Sequence, residues 1–133
     1  MKNRKLLDSF NNAMSGIIYT IKAERNMKIH IFGAVLILLL SAFYKLSLVE
    51  FSIILLAVGF VIVCELFNTG IEMIVDIIVD VYHPKAKIIK DAAAGAVFVS
   101  AITSLAVGYF IFFEKIRPHV VWLFGQIKNM LHM

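Results

Sequence analysis

The sequence predicts an all-α membrane protein built from one amphipathic surface helix and three membrane-spanning helices. Hydrophobic residues make up 61% of the 133 residues and charged residues 17%, whereas soluble domains have about 45–50% and about 25%. The apolar residues also fall in three long runs, which indicates that they face lipid. With 2 prolines, 7 glycines and no low-complexity tract, the chain is predicted to form one unit without a linker.

Three membrane spans are predicted, at residues 28–46, 51–81 and 91–113. The third is the clearest, because its uncharged run would form a helix about 33 Å long, against about 30 Å of hydrocarbon. Lys28 and Lys45 flank the first span and can extend it towards both interfaces. The second span continues past Cys64 without a Pro or Gly cluster. It forms one helix of about 46 Å, and one end of it projects beyond the hydrocarbon.

Two further segments are predicted to lie at the membrane surfaces. Residues 5–26 form the amphipathic surface helix, because apolar residues recur there at helical spacing. Residues 114–133 mix aromatic and aliphatic residues with Lys115, Arg117 and Lys128, which is typical of an interfacial helix on the opposite side. The chain is therefore divided into a membrane domain, residues 1–113, and a C-terminal interfacial extension, residues 114–133.

The positive charges predict the orientation in the cell membrane, because cytoplasmic segments carry an excess of Lys and Arg. Of the 13 such residues, most precede the first span or lie between the second and third. The N-terminus and the loop 82–90 are therefore predicted to face the cytoplasm. Despite the net charge of +4, no basic stripe carries interleaved aromatic residues, which argues against nucleic acid as a partner. The single cysteine, Cys64, is expected to serve packing.

Polar residues on the second span are the first candidates for function, because ionisable groups at membrane depth are costly. A narrow stripe of this helix carries three carboxylates with an amide and a hydroxyl, and a fourth carboxylate lies on its edge: Glu65, Asn68, Thr69, Glu72, Asp76 and Asp80. Like charges at this spacing repel each other, so a cation should compensate them, and a divalent metal is the natural candidate. The alternative is a solvated face of a helix that leaves the membrane, which applies most to Asp76 and Asp80.

Glu24 is a second unusual residue, because it projects onto the apolar face of the predicted surface helix. There it would point into the bundle, meet the acidic stripe and supply an oxygen ligand for magnesium. The alternative is an ion pair with Arg25 or Lys28.

Lysines follow the segment His83-Pro84, which is predicted to end the second helix. Lys85, Lys87 and Lys90 are either juxtamembrane topology signals or, opposite a metal-binding stripe, ligands for phosphate. The chain has no phosphate-binding glycine loop and no dinucleotide-binding glycine motif. Any kinase site here must therefore be built from helices.

With the helix order and these residues in place, the chain resembles the small integral-membrane lipid kinases of prokaryotes, the diacylglycerol kinase/undecaprenol kinase family. The resemblance rests on the pattern E-x-x-N-S/T-x-x-E-x-x-x-D from Glu65 to Asp76, on K-D-A-A-A-G-A-V from Lys90, and on A-E-R-N at 23–26 after Gly16. His83-Pro84 also matches. The resemblance covers about residues 6–113.

This resemblance implies a homotrimer of three-span subunits that phosphorylate a lipid hydroxyl with ATP at the cytoplasmic surface, at sites shared between subunits. It implies Glu65 as the general base, Glu24 and Glu72 as ligands of Mg²⁺, and Asn68 as a supporting polar residue. The resemblance also implies a set of nucleotide-binding positions, and of these Lys90 would contact the phosphates. These positions are Lys90, Asp91, Glu24, Glu72, Asp76, Tyr82 and His83.

The expected substrate is undecaprenol, because the His-Pro and K-D-A-A-A-G-A-V segments resemble the Gram-positive branch of the family. A diacylglycerol kinase that makes phosphatidic acid is the alternative within the family. An alternative of another class is a small oligomeric transporter that uses the acidic stripe as a proton or cation pathway. Its acids should lie nearer the middle of the membrane. A third alternative is a purely structural membrane protein, but such a role would not explain the acidic stripe from Glu65 to Asp76.

Overall fold

The computed structural model describes residues 6–131, which form four α-helices: α1 (Leu6–Ala23), α2 (Arg25–Phe43), α3 (Leu48–Ile78) and α4 (Pro84–Leu131). The last three are each long and apolar enough to cross a membrane. This confirms the prediction of an all-α protein with three spans. Lys5, the predicted first residue of the surface helix, and residues 132–133 of the extension lie outside the described residues.

The surface helix predicted at 5–26 ends earlier than expected, because Glu24 interrupts it. Glu24 has an extended backbone, with φ −92° and ψ 126°, and α2 begins at the next residue. Hydrogen bonds of helical spacing continue on both sides of this break. The Glu24 N–H donates to the Thr20 carbonyl at 2.9 Å, and the Glu24 carbonyl accepts from the Lys28 N–H at 3.4 Å. The prediction that Glu24 belongs to the surface helix was therefore wrong, and this residue lies at the junction of α1 and α2.

The short turn 44–47 ends α2 earlier than the predicted residue 46. Lys45 takes a left-handed conformation, with φ 49°. Its N–H donates to the Ala42 carbonyl at 3.2 Å, and the Leu46 N–H donates to the Ser41 carbonyl at 3.1 Å. These two bonds form a Schellman motif, which satisfies the last carbonyls of the helix.

A capping box starts α3 directly after this turn. The Ser47 N–H donates to Glu50 Oε2 at 2.7 Å, and the Glu50 N–H donates to Ser47 Oγ at 3.3 Å. Glu50 also pairs with Lys115 of α4 at 3.0 Å. The same carboxylate therefore caps α3 and connects it to α4.

The turn between α3 and α4 is shorter than the predicted loop 82–90. α3 ends at Ile78, and α4 begins at Pro84 rather than near Asp91. His83 Nδ1 accepts a hydrogen bond from the Lys85 N–H at 3.2 Å. Proline suits the first position of a helix, because its missing N–H would have no partner there. The expectation that His83-Pro84 ends the second helix was therefore wrong, since this pair starts the next one.

The core lies mainly between α3 and α4, which pack along each other. Ala93, Val97 and Ser100 are buried, and they share one face of α4. Ser104 Oγ donates to the Ala57 carbonyl of α3 at 3.0 Å, which links the two helices inside the span. Small residues on this face of α4 allow the helices to approach closely.

Residues 114–131 continue α4 without a break, and Pro118 lies inside the helix. The whole of α4 has 48 residues and is about 72 Å long, well over the thickness of a bilayer. That its end lies at the membrane interface stays a prediction.

Candidate functional site

Glu65 is the buried centre of the candidate site. It lies on α3 after the apolar run, and only 1% of it is exposed. Within the part of the chain that the structure describes, neither of its carboxyl oxygens has a hydrogen-bond partner. A buried polar group without a partner is costly, and such a group points to a missing ligand or to a catalytic role.

Two neighbours on the same face of α3 are also held in place. Asn68 is buried, and its Nδ2 donates to Glu72 Oε1 at 3.0 Å, while its own Oδ1 has no partner among the described residues. Thr69 is buried one turn beyond Glu65, and its hydroxyl donates to the Glu65 carbonyl at 3.0 Å. The amide of Asn68 therefore fixes Glu72, and it leaves one buried oxygen free to accept a hydrogen bond.

Glu24 approaches this face from the junction of α1 and α2. It is half-buried, and its charge and that of Glu72 both act on the carboxyl group of Glu65. Glu24 forms no ion pair with Arg25 or Lys28, and the Lys28 ammonium donates instead to the Lys22 carbonyl at 2.8 Å. The structure therefore favours the interpretation that Glu24 faces the acidic stripe over the alternative of a local ion pair.

A lysine and an aspartate extend the site towards the end of α3. Lys90 Nζ lies 2.9 and 3.1 Å from the two carboxylate oxygens of Asp76, and the charge of Glu72 also acts on it. Asp91 forms an ion pair with Lys87 one turn earlier on α4. Because α4 starts at Pro84, all these groups lie on regular helix, and Lys90 has a fixed partner on α3.

Tyr82 and His83 lie in the turn between α3 and α4. Tyr82 is exposed, whereas the His83 imidazole caps the first turn of α4. The structure therefore gives His83 a capping role. Nucleotide binding by either residue stays a prediction.

The donor set fits a magnesium ion that is shared with a nucleotide. Across residues 6–131, no group of three or more His, Cys, Asp or Glu side chains is arranged to hold a metal alone. Mg²⁺ usually takes one or two protein carboxylates and completes its shell with water and substrate phosphates. The charges of Glu24 and Glu72 both act on the carboxylate of Glu65, which has no partner among the described residues, and these two residues would supply oxygen donors of this kind.

An apolar groove lies between α2, α3 and α4, close to Glu65. It has a volume of about 450 Å³, and its wall on α3 ends at Val61, one helical turn before Glu65. His30 of α2 lines the same groove, and it was not among the site residues predicted from the sequence. An ionisable side chain inside the first predicted span could have indicated it.

The fold and the site together define a multi-pass membrane protein with a helical site that sets carboxylates beside a lysine where a spanning helix becomes polar. Comparison with known proteins gives the family. The model of the prokaryotic diacylglycerol kinases matches residues 11–112, and the chain belongs to this family of lipid kinases. Because the members of this family are lipid kinases, the family assignment argues against the alternative that the protein is a small oligomeric transporter.

Two curated relatives agree with this assignment. The chain is 43% identical to the undecaprenol kinase of Bacillus subtilis (strain 168) over 112 residues, which are 84% of this chain and 91% of the relative. It is 38% identical to the diacylglycerol kinase of a Synechocystis strain over 104 residues, which are 77% of this chain and 59% of that relative.

Proposed function

We propose that the protein phosphorylates undecaprenol to undecaprenyl phosphate, using ATP and Mg²⁺, at the cytoplasmic surface of the cell membrane. The observation that carries this proposal is the buried carboxylate of Glu65, which has no partner among the described residues and is acted on by the charges of Glu24 and Glu72. The likeness to the undecaprenol kinase of Bacillus subtilis supports the choice of lipid.

The chemistry assigned to Glu65 is general base catalysis. The lipid hydroxyl oxygen attacks the γ-phosphorus of ATP, and the bond from that phosphorus to the β–γ bridging oxygen breaks, so that ADP leaves. The hydroxyl proton passes to the Glu65 carboxylate. Both oxygens of this carboxylate lack a competing donor among the described residues, so either one is available for the proton.

Lys90 is assigned to the phosphates of the nucleotide. Its ammonium is held by Asp76 on the neighbouring helix and therefore lies on the same face as Glu72. A cation beside the transferring group offsets the negative charge of the phosphate oxygens. Asp76 is accordingly a positioning residue for Lys90.

Glu24 and Glu72 are the residues that would hold magnesium. When bound with ATP, this ion would neutralise phosphate charge. Asn68 positions Glu72 through its amide, and its free Oδ1 is available to accept a hydrogen bond from a substrate.

The apolar groove between the spans is assigned to the lipid chain. Its wall is almost wholly aliphatic, and it ends one turn from Glu65. A lipid that lies in this groove would bring its terminal hydroxyl towards the catalytic carboxylate. An apolar chain that ends in a hydroxyl fits this arrangement, and undecaprenol is such a molecule.

The orientation and the assembly are also part of the proposal. Lys22, Arg25, Lys28 and the three lysines at the start of α4 lie at the end of the bundle that carries the site, which supports a cytoplasmic position. A homotrimer with sites shared between subunits is proposed from the family resemblance. The wide apolar surface of the single chain, for example at Phe67 and Ile77, supports burial against lipid or other copies.

Diacylglycerol is the second candidate substrate, because the Synechocystis relative is a diacylglycerol kinase. Its two acyl chains are bulkier at the headgroup than a single prenyl chain. Direct competition between the two lipids therefore separates the candidates.

Phosphate transfer from labelled ATP tests the proposal, with purified protein in mixed micelles that contain undecaprenol or diacylglycerol. We expect magnesium-dependent labelling of undecaprenol in preference to diacylglycerol. Preferential labelling of diacylglycerol would assign the protein to phospholipid turnover. A folded protein that labels neither lipid would contradict the assignment of both substrates.

A further inference from the structure

The end of α4 extends past the rest of the bundle. Within the described residues, the ion pair of Lys115 with Glu50 of α3 and the ring contact of His119 with Tyr44, at a centroid distance of 6.0 Å, connect this end of α4 to the α2–α3 region. Residues 120–131 therefore continue beyond the bundle for about 18 Å. The family model ends at residue 112, so this segment is not explained by the kinase site.

This projecting segment carries a stripe of apolar residues along one side. Val120, Phe124, Ile127 and Met130 fall in one stripe about 120° wide, because they follow each other at helical spacing. All four side chains are exposed, Phe124 by 68% and Met130 by 70%. A helix that stood upright would place this stripe in water, beyond the hydrocarbon.

Pro118 lies where the segment leaves the bundle. It has no N–H to donate to the Glu114 carbonyl one turn earlier, and its ring crowds that carbonyl. The helix is therefore weakest at this point, just beyond Lys115, which is the last ion-paired residue that ties it to α3. A bend here would bring the apolar stripe down onto the adjacent membrane surface.

The charges identify what covers the stripe. No acidic residue follows Glu114, whereas Arg117 and Lys128 both lie along one edge of the stripe. Arg117 is 3.6 Å from Glu114 in an exposed pair, and Lys128 has no ion pair among the described residues. A cationic edge beside an apolar stripe fits anionic headgroups above acyl chains.

We infer that residues 119–131 lie on the membrane surface next to the α2–α3 turn, and that Arg117 and Lys128 bind anionic phospholipid there. The segment then holds the far end of α4 at a fixed depth while the kinase site works at the other end. This binding site is independent of the lipid substrate.

The sole tryptophan of the chain allows a test without labels, because Trp122 lies on the side of the helix opposite the stripe. The full-length protein is reconstituted in phosphatidylcholine vesicles with and without phosphatidylglycerol. Its fluorescence is quenched by lipids brominated at different acyl depths and by aqueous iodide. The matched variant exchanges the two aromatic residues, Trp122→Phe with Phe124→Trp, so that composition is unchanged.

We expect brominated lipid to quench tryptophan at position 124 about twofold more strongly than at position 122, because apolar faces of such helices sit about 5–10 Å into the interface. Phosphatidylglycerol should lower the ratio of iodide quenching at position 124 to that at position 122, a comparison in which the general repulsion of iodide by the anionic surface cancels, and Arg117→Gln with Lys128→Gln should remove that change. Equal quenching by iodide at both positions would overturn the inference, because the helix would then stand in water. Protection from both quenchers at both positions would overturn it as well, because the stripe would then be buried between copies of the chain.

Discussion

Glu65 illustrates how a single residue defines this site. Its carboxyl group is buried, and neither oxygen has a donor within the described residues, although Glu24 and Glu72 are near enough to repel it. A buried carboxylate near two other carboxylates is unfavourable by itself. Binding of a cation and a hydroxyl group would offset this repulsion and supply the hydrogen-bond donor. This environment supports the proposed role of Glu65 in catalysis.

Replacing Glu65 with Gln is expected to remove turnover while leaving assembly and ATP binding largely intact. The amide keeps the shape of the side chain but does not accept the hydroxyl proton at the same strength, and a general base contributes about 10²–10⁴-fold. Single-turnover phosphate transfer and equilibrium ATP binding measure the two effects separately. Retention of more than about a tenth of the activity would contradict the assignment of the base.

Replacing Asp76 with Asn is expected to weaken ATP binding about threefold, a modest change that suits a partly exposed ion pair. Lys90 keeps one hydrogen-bond acceptor in this variant but loses the opposite charge that holds it. Titration of ATP against the initial rate gives KM and kcat separately, and the change should fall on KM. Glu114→Gln, at the far end of the molecule, is the control.

Tighter ATP binding in the Asp76→Asn variant would contradict this role. It would mean that the carboxylate competes with the phosphates for Lys90 and does not position the lysine for them.

At the scale of the elements, the helix ends decide where the site residues stand. His83 and Pro84 start α4 earlier than expected, which places Lys90 on regular helix beside Asp76. At the other end of α3, the Ser47–Glu50 capping box and the Glu50–Lys115 pair fix the start of α3 against α4. Both ends of the α3–α4 contact are therefore fixed by local polar groups, and the apolar span between them keeps its register.

Replacing Ser47 with Ala is expected to lower the free energy of unfolding by about 1 kcal/mol, the usual value for an N-cap side chain. The Glu50 N–H would lose the acceptor that it now has at 3.3 Å. Thermal unfolding in detergent measures the change. Ser52→Ala is the matched control, because the Ser52 hydroxyl donates to the Leu48 carbonyl within the same helix and, among the described residues, makes no other side-chain hydrogen bond. Equal losses in the two variants would show that the capping box contributes nothing specific.

At the scale of the whole molecule, the charge distribution predicts that the site end of the bundle faces the cytoplasm. The two ends of the bundle offer matched positions, because Leu48 at the start of α3 and Val81 in the turn before α4 are both exposed and uncharged. In a Cys64→Ser background, which removes the single native cysteine, Leu48→Cys and Val81→Cys place one thiol on each side.

A membrane-impermeant maleimide is expected to label Leu48→Cys in intact cells and Val81→Cys only after lysis. Activity of both variants provides the control for folding. The reverse pattern of labelling would contradict the orientation inferred from the positive charges.

The sequence alone determined the three spans, the family resemblance and the acidic stripe, because hydropathy and helical spacing are properties of neighbouring residues. It also indicated Glu24 and Lys90 as members of one site. It did not place the break at Glu24 or the start of α4 at Pro84. Helix ends depend on a few hydrogen bonds, and several nearby residues can supply them.

Only the tertiary structure decided which groups meet. The pairing of Lys90 with Asp76 and the burial of Glu65 without a partner among the described residues depend on how the helices dock, whereas the bond from Asn68 to Glu72 forms within α3 itself. The continuation of α4 beyond the bundle was likewise visible only in the fold. Sequence spacing places residues on a helix face, but the partner of that face is set by packing between helices that are distant in the chain.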